Sequence, residues 1–316
     1  MSVAEEKSRR KIFMGSDGNA LVNLIVLITI SFVMLNFVYV VYIMSELDTQ
    51  AYIRNVFNWF VLPADFSKLG SRPWTLITHM FVHESFFQGF QGVFHMIGNL
   101  LWLWAFGYIL QDLAGNRKLI PVFLYGGFTG GIFYMIAYNL IGRLHPGLDT
   151  ATLLGSNAAV MAVAVATTTV SPDYRLFPMI NGGIPLWVLM VLFVIIDFAG
   201  IPGNNPAIYV AHIAAATIGF LFIYSLRKGK DWSDPINGFF DWFGNLFNPD
   251  KPKKSKTKTK DEFFYNLQGK SPFKKTSNLT QSRIDSILDK INQQGYHFLT
   301  DEEKEILKRA SEDDFQ

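Results

Sequence analysis

The chain has 316 residues, 50% of them hydrophobic, with 29 Phe and 7 Trp, and a formal net charge of only +2. Its apolar residues come in blocks of about 20, the signature of membrane spans rather than of an ordinary soluble domain. With no cysteine in the sequence, disulfides, thiolate zinc sites and a cysteine nucleophile are all excluded.

Residues 1–19 are polar and basic, with Lys7, Arg9, Arg10 and Lys11. They lead into an apolar run over Ala20–Met44, long enough to cross a bilayer. The run exceeds a signal-peptide core, and Ser45-Glu-Leu-Asp does not resemble a cleavage site, so it reads as a first span with its basic flank in the cytoplasm. Residues 47–88 mix Tyr52, Phe57, Trp59, Phe60, Phe66 and Trp74 with Asp65, Lys68, Arg72 and Glu84. That mixture is too polar to span and too aromatic for a linker; short helices lying in the outer interface are expected. His79 and His83 near its end are expected to be structural hydrogen-bond formers, not metal ligands.

A second span, residues 89–110, carries His95 and Asn99 one turn apart on one face. A third, 119–140, holds the overlapping pairs Gly126/Gly130 and Gly127/Gly131, a close-packing face. The fourth begins at Thr152 and ends near Pro172; Gly155, Ser156, Ala158, Ala159 and Ala162 make its start unusually thin. Ser156 and Asn157 in that thin part are either an N-cap and packing device or the floor of a site. The fifth, 184–201, holds Asp197 towards its far end, read as a carboxylate reaching the outer interface. The sixth follows Pro206, contains His212, and is followed at once by Arg227, Lys228 and Lys230, which place its exit in the cytoplasm. Both termini are therefore expected to be cytoplasmic, and a bacterial inner membrane is the expected location.

Spans two, four and six run in the same direction, and each carries its unusual polar residues in its first turns: His95 and Asn99, Ser156 and Asn157, His212. At about 1.5 Å per residue these groups share one depth, on the order of 10 Å below the outer surface. Polar groups converging inside a membrane point to a shared, water-accessible cavity, which favours the site reading.

Over about residues 51–229 the chain resembles the rhomboid intramembrane serine proteases. The resemblance rests on Trp74…His83, His95-x-x-x-Asn99-Leu-Leu-Trp-Leu-Trp104-x-x-Gly107, the Gly-x-Ser-x-like start of the fourth span, and Ala211-His212 followed by Gly219. It implies an all-α, six-transmembrane-helix bundle with an interfacial loop after the first helix. It also implies a serine on the fourth span that attacks a peptide carbonyl, His212 as its base, and His95 and Asn99 as oxyanion donors. No cofactor and no metal are implied. The departure lies at the nucleophile: aligning Ala159-Val-Met-Ala162 with the family puts Asn157 at the serine position and Ser156 one residue early. A carboxamide is no useful nucleophile, and a one-residue shift turns a side chain about 100° around a helix. Ala214 and Ala215 also stand where glycines are usual, thickening the sixth span, and there are extra residues between His83 and His95.

The function expected is that of a non-cleaving relative, a pseudoprotease, that binds transmembrane segments of client proteins. The alternative is an active intramembrane serine endopeptidase using Ser156 and His212. A transporter finds no support, for there is neither an inverted repeat nor a pair of broken helices. Beyond the bundle, 229–248 reads as an amphipathic inner-surface helix and 249–277 as a lysine-rich linker drawn to anionic lipid, with no nucleic-acid readout. Residues 278–316 read as a soluble helical hairpin: Ile284, Ile287, Leu288 and Ile291 form a stripe, Gly295 ends it, and Thr300-x-x-Glu303 is a capping box. The partners expected are the lipid bilayer and transmembrane client proteins.

Overall fold

The computed structural model describes residues 19–84, 90–176, 183–200, 205–246, 281–294 and 296–313. The basic N-terminal run, the lysine-rich linker and the helix stop at Gly295 lie outside the described residues. The chain divides into two units, Met1–Lys251 and Pro252–Gln316.

The first helix, α1 (Ala20–Met44), starts on Asn19, whose side chain accepts from the backbone N–H groups of Leu21 and Val22. It buries the stripe Leu21, Leu24, Ile28, Phe32 and Leu35, with Ala20 and Asn36 beside it, and leaves Val26, Ile30, Val33 and Phe37 exposed. One face on the bundle and the rest apolar and open is the pattern of a helix at a lipid boundary. Short elements follow: α2 (Thr49–Asn55), a 3₁₀ turn Phe57–Trp59, β1 (Leu62–Pro63), α3 (Phe66–Ser71), α4 (Thr75–Thr78) and a second 3₁₀ turn His79–Phe81. Tyr52 is fully buried and donates from its hydroxyl to Leu35 O at 3.0 Å, which fastens this segment to α1. Trp59 and Trp74 stack with centroids 5.9 Å apart, both partly exposed.

The bundle continues with α5 (Phe90–Ala114), α6 (Asn116–Leu140), α7 (Asn157–Val170), α8 (Leu186–Gly200) and α9 (Ala207–Arg227). Among the described residues, α1, α5 from Gly92, α6 and α9 are long and apolar enough to cross a membrane, while α7 and α8 are shorter apolar helices. The fold is an all-α membrane bundle; the strands among the described residues are two-residue pairs. β1 pairs antiparallel with β2 (Thr152–Leu153), and β3 (Arg175–Leu176) pairs with β4 (Ile184–Pro185).

Helix α6 starts at Asn116 rather than 119, the helix expected over 229–248 starts at Asp234, and two further starts are moved by strand pairing. The fourth span becomes helical at Asn157, not Thr152, because Leu153 and Thr152 pair with Leu62 and Pro63 and Gly155 takes a left-handed φ of 98°. The fifth starts at Leu186, since Ile184 and Pro185 are extended against Arg175 and Leu176.

Helix α7 is the axis of the bundle, with Ala158 to Ala164 buried without interruption. Its thinness lets α6 and α9 approach its backbone. A Cβ on Gly130 would sit 2.8 Å from that of Ala158, and one on Gly219 would sit 2.9 Å from Ala162 Cα. Ala214 and Ala215 are both buried, yet α9 still reaches backbone contact with α7 one turn on, at Gly219.

After α9, α10 (Asp234–Leu246) lies against the start of α6. Arg117 pairs with Asp241 at 2.5 Å, Asn237 Nδ2 donates to Arg117 O at 3.1 Å, and Lys118 pairs with Asp231. Phe239, Trp242, Phe243 and Leu246 stay exposed.

The second unit contains α11 (Gln281–Gln294), a 3₁₀ turn Tyr296–Phe298 and α12 (Asp301–Asp313). Ile287 and Leu299 are buried. Thr300 N–H donates to Glu303 Oε2 at 2.8 Å, Glu303 N–H donates to Thr300 Oγ1 at 3.3 Å, and Lys290 pairs with Glu303 at 3.0 Å.

Candidate functional site

The polar residues singled out in the sequence meet at the N-terminal end of α7. Ser156 is the N-cap residue and Asn157 the first residue of the helix. Above them Gly155 N–H donates to His79 O at 2.9 Å, so the turn into the helix is bonded to the interfacial segment. From α5, Asn99 donates through Nδ2 to Asn157 Oδ1 at 2.6 Å. From α9, His212 Nδ1 lies 2.5 Å from Asp197 Oδ2 on α8, with both side chains only 2% exposed. Asn157 Nδ2 donates to the other carboxylate oxygen, Asp197 Oδ1, at 3.2 Å. The carboxamide of Asn157 is thus held at both ends, between the Asn99 donor and the Asp197 acceptor.

Ser156 is directed elsewhere. Its hydroxyl lies 3.3 Å from His83 Nε2, which Asn99 Nδ2 also approaches at 3.2 Å. The backbone N–H of Ser156 points at the same nitrogen from 3.5 Å. Donors converging on Nε2 make it the acceptor and leave the ring proton on Nδ1. Burial, reinforced by the neighbouring His95, pushes His83 down to about 3, so the ring is neutral at ordinary pH. His79 is held down to about 4 by burial, while its bond to Thr75 O works the other way. The His95 ring is half-buried, 6.1 Å from His83 between centroids, and close enough to Asp197, His212 and Asn157 to interact with them electrostatically.

All five residues read from the sequence, His95, Asn99, Ser156, Asn157 and His212, therefore stand in one cluster, with Ser156 on the His83 side and Asn157 on the Asp197 side. Two further residues join it. His83 forms structural hydrogen bonds, as the sequence suggests, but forms them to the site's own residues. Asp197, which the sequence reading places at the outer interface, is instead buried against His212. The helical spacing explains why, since the buried residues of α8 are Leu186, Phe193 and Asp197, spaced by seven and four on one stripe. The signal for it was present, because Asp197 is the sole charged residue of α8 and ionisable groups inside a membrane face the bundle interior.

Chemically, a carboxylate accepting from Nδ1–H fixes the His212 tautomer and leaves Nε2 as the basic nitrogen. The Asn157 amide joins this pair through Asp197 Oδ1, and Asn99 joins Asn157. No group of three or more His, Asp or Glu set to hold a metal occurs among the described residues.

The profile of the Rhomboid domain matches residues 70–229, and that of a family of unknown function, DUF6576, matches 273–313. RHOMBOID-like protein 12, mitochondrial, of Arabidopsis thaliana is 25% identical over 199 residues, 60% of this chain and 56% of that protein. Presenilin-associated rhomboid-like protein, mitochondrial, of Rattus norvegicus and of Mus musculus is 29% identical over 84 residues, 27% of this chain and 21% of each relative. The chain thus spans about half the length of the plant relative and a fifth of the rodent ones. These relatives overturn the bacterial inner membrane, with its cytoplasmic termini, as the expected setting: they are eukaryotic and carry mitochondrial designations. The membrane character of the chain stands.

Proposed function

The chain belongs to the rhomboid family, and from that membership and the state of position 157 we propose that it binds transmembrane segments of client proteins without cleaving them. The observation that carries the proposal is the placement of Asn157. Its carboxamide oxygen takes the Asn99 donor, the group that in the resemblance would polarise a scissile carbonyl. Its nitrogen takes Asp197, and a carboxamide at this position offers no attacking oxygen. Ser156, the alternative nucleophile, is bonded to His83, which favours binding over the endopeptidase reading. The polar cluster at the head of α7 offers the hydrogen-bond partners that the freed backbone of an unwinding transmembrane helix would need. The relatives' designations favour a mitochondrial membrane as the setting.

The test is co-reconstitution in liposomes with a generic transmembrane substrate carrying a photo-crosslinker. The native chain is expected to crosslink to the segment and leave it intact, and Ser156→Ala is expected to change neither result. Cleavage by the native chain that disappears in Ser156→Ala would make Ser156 the nucleophile and the chain a protease.

A further inference from the structure

A buried carboxylate–histidine pair is an expensive thing for a binding protein to keep. Burying two polar groups away from water carries a desolvation penalty that their mutual bond must offset, and an apolar pair of similar volume often packs as well. Here Asp197 and His212 are each 2% exposed and come from different helices, α8 and α9. Each carboxylate oxygen has one donor, His212 Nδ1 on Oδ2 and Asn157 Nδ2 on Oδ1. Client binding uses neither the tautomer that this pair fixes nor the base that it leaves at Nε2. From this geometry we infer that Asp197 is a positioning residue for His212, and that the two form an intact acid–base relay kept idle by the Asn157 carboxamide.

The inference rests on the reading of position 157 as the substituted nucleophile position. Asn157 idles the pair in two ways: it supplies no proton for Nε2 to take, and it occupies the Asn99 donor with its own oxygen. Replacing the carboxamide by a hydroxyl removes both obstacles. In Asn157→Ser the hydroxyl proton passes to His212 Nε2 as the oxygen bonds to the substrate carbonyl carbon, and the carbonyl π pair moves onto oxygen. His212 then returns that proton to the departing amine nitrogen as the C–N bond breaks. Water releases the acyl group through the same base, giving a carboxylic acid and regenerating the hydroxyl. Throughout, the Asp197 carboxylate holds the imidazole in place by its bond to Nδ1.

The experiment compares the native chain, Asn157→Ser, Asn157→Ser/Asp197→Asn, Asn157→Ser/Asp197→Glu and Asn157→Ser/His212→Ala in liposomes on one transmembrane substrate. Asn157→Ser is expected to cleave, and His212→Ala in that background to abolish cleavage. Asp197→Asn is expected to lower kcat by about 10²-fold or more with KM unchanged, in line with the worth of a positioned base, and Asp197→Glu to restore part of it. A residue that merely packs α8 on α9 would move KM and stability and leave kcat alone. Independently, ¹⁵N NMR of the His212 ring in the native chain is expected to show the proton on Nδ1, and Asp197→Asn to move it. That measurement decides where the double variant fails to fold. Equal kcat with and without Asp197, an unmoved tautomer, or a folded but silent Asn157→Ser overturns the relay. Cleavage by the native chain would instead overturn the non-cleaving reading and leaves the relay to be judged by the Asp197 variants.

Discussion

Gly219→Ala tests whether the site is held together by backbone contact. A methyl group at position 219 points at α7, 2.9 Å from both Ala162 Cα and its carbonyl carbon and closer still to its oxygen. Ordinary contacts between carbons fall at about 3.5–4.0 Å, so α9 must withdraw from α7 by roughly 1 Å. No flexible side chain stands in the way to yield, because the atoms met are backbone. Overpacking of this kind costs about 1–3 kcal/mol, offset by up to about 1 kcal/mol from replacing a helical glycine by alanine. A net loss of about 1–2 kcal/mol is expected, read as a lower thermal unfolding temperature in detergent. Since His212 stands two turns above Gly219 on α9, the same withdrawal is expected to loosen its bond to Asp197, visible in the His212 ring signals. Gly98→Ala on α5 is the control: a Cβ there meets nothing within 4 Å, so the helix-propensity gain is unopposed and stability is expected to rise. Equal and unchanged stability for the two variants would refute the claim that α7 and α9 touch through their backbones.

Two other outcomes are expected. His79 and His83 are neutral in the folded chain, with values near 4 and 3 against 6.5 for an ordinary histidine. The unfolded chain therefore binds more protons between those values. The stability conferred is complete above about pH 6.5 and is lost as pH falls towards 4. Unfolding temperatures that stay flat between pH 7 and pH 5 would contradict this, and His79→Gln is expected to reduce the slope. Removing residues 252–316, which form a unit of their own, is expected to leave the membrane bundle folded, as judged by its unfolding transition and by retained crosslinking of a transmembrane segment.

Much of the bundle was legible because lipid imposes a plain rule: an apolar run of sufficient length becomes a helix, and its polar residues turn inward. Ala20–Met44 is read to the residue on that rule. The start of α7 was not, because Thr152 is apolar enough in context to continue a helix. What makes it extended is its pairing with Pro63, far earlier in the chain, a partner that no local pattern reveals. The site residues on α5, α7 and α9 were found by their common depth, a one-dimensional property. Asp197 was misread for the same reason, since depth along α8 puts it near the boundary. Its direction around the helix, set by Leu186 and Phe193, turns it to His212. The location in the cell had no signature in the spans at all, for the rule of positive flanks is about sides and not about organelles.

The strand contact above α7 makes the interfacial segment a mechanical input. Ala64 N–H donates to Ala151 O, Leu62 and Pro63 pair with Leu153 and Thr152, and His79 O takes the N–H of Gly155. The five residues leading into Asn157 are thereby laced to a segment that lies beside the membrane and carries the stacked, partly exposed Trp59 and Trp74. Displacing those rings therefore pulls, through backbone hydrogen bonds, on the turn that leads into α7, while the body of that helix is packed between α6 and α9. Gly155, whose left-handed φ makes that turn, is the joint between the two.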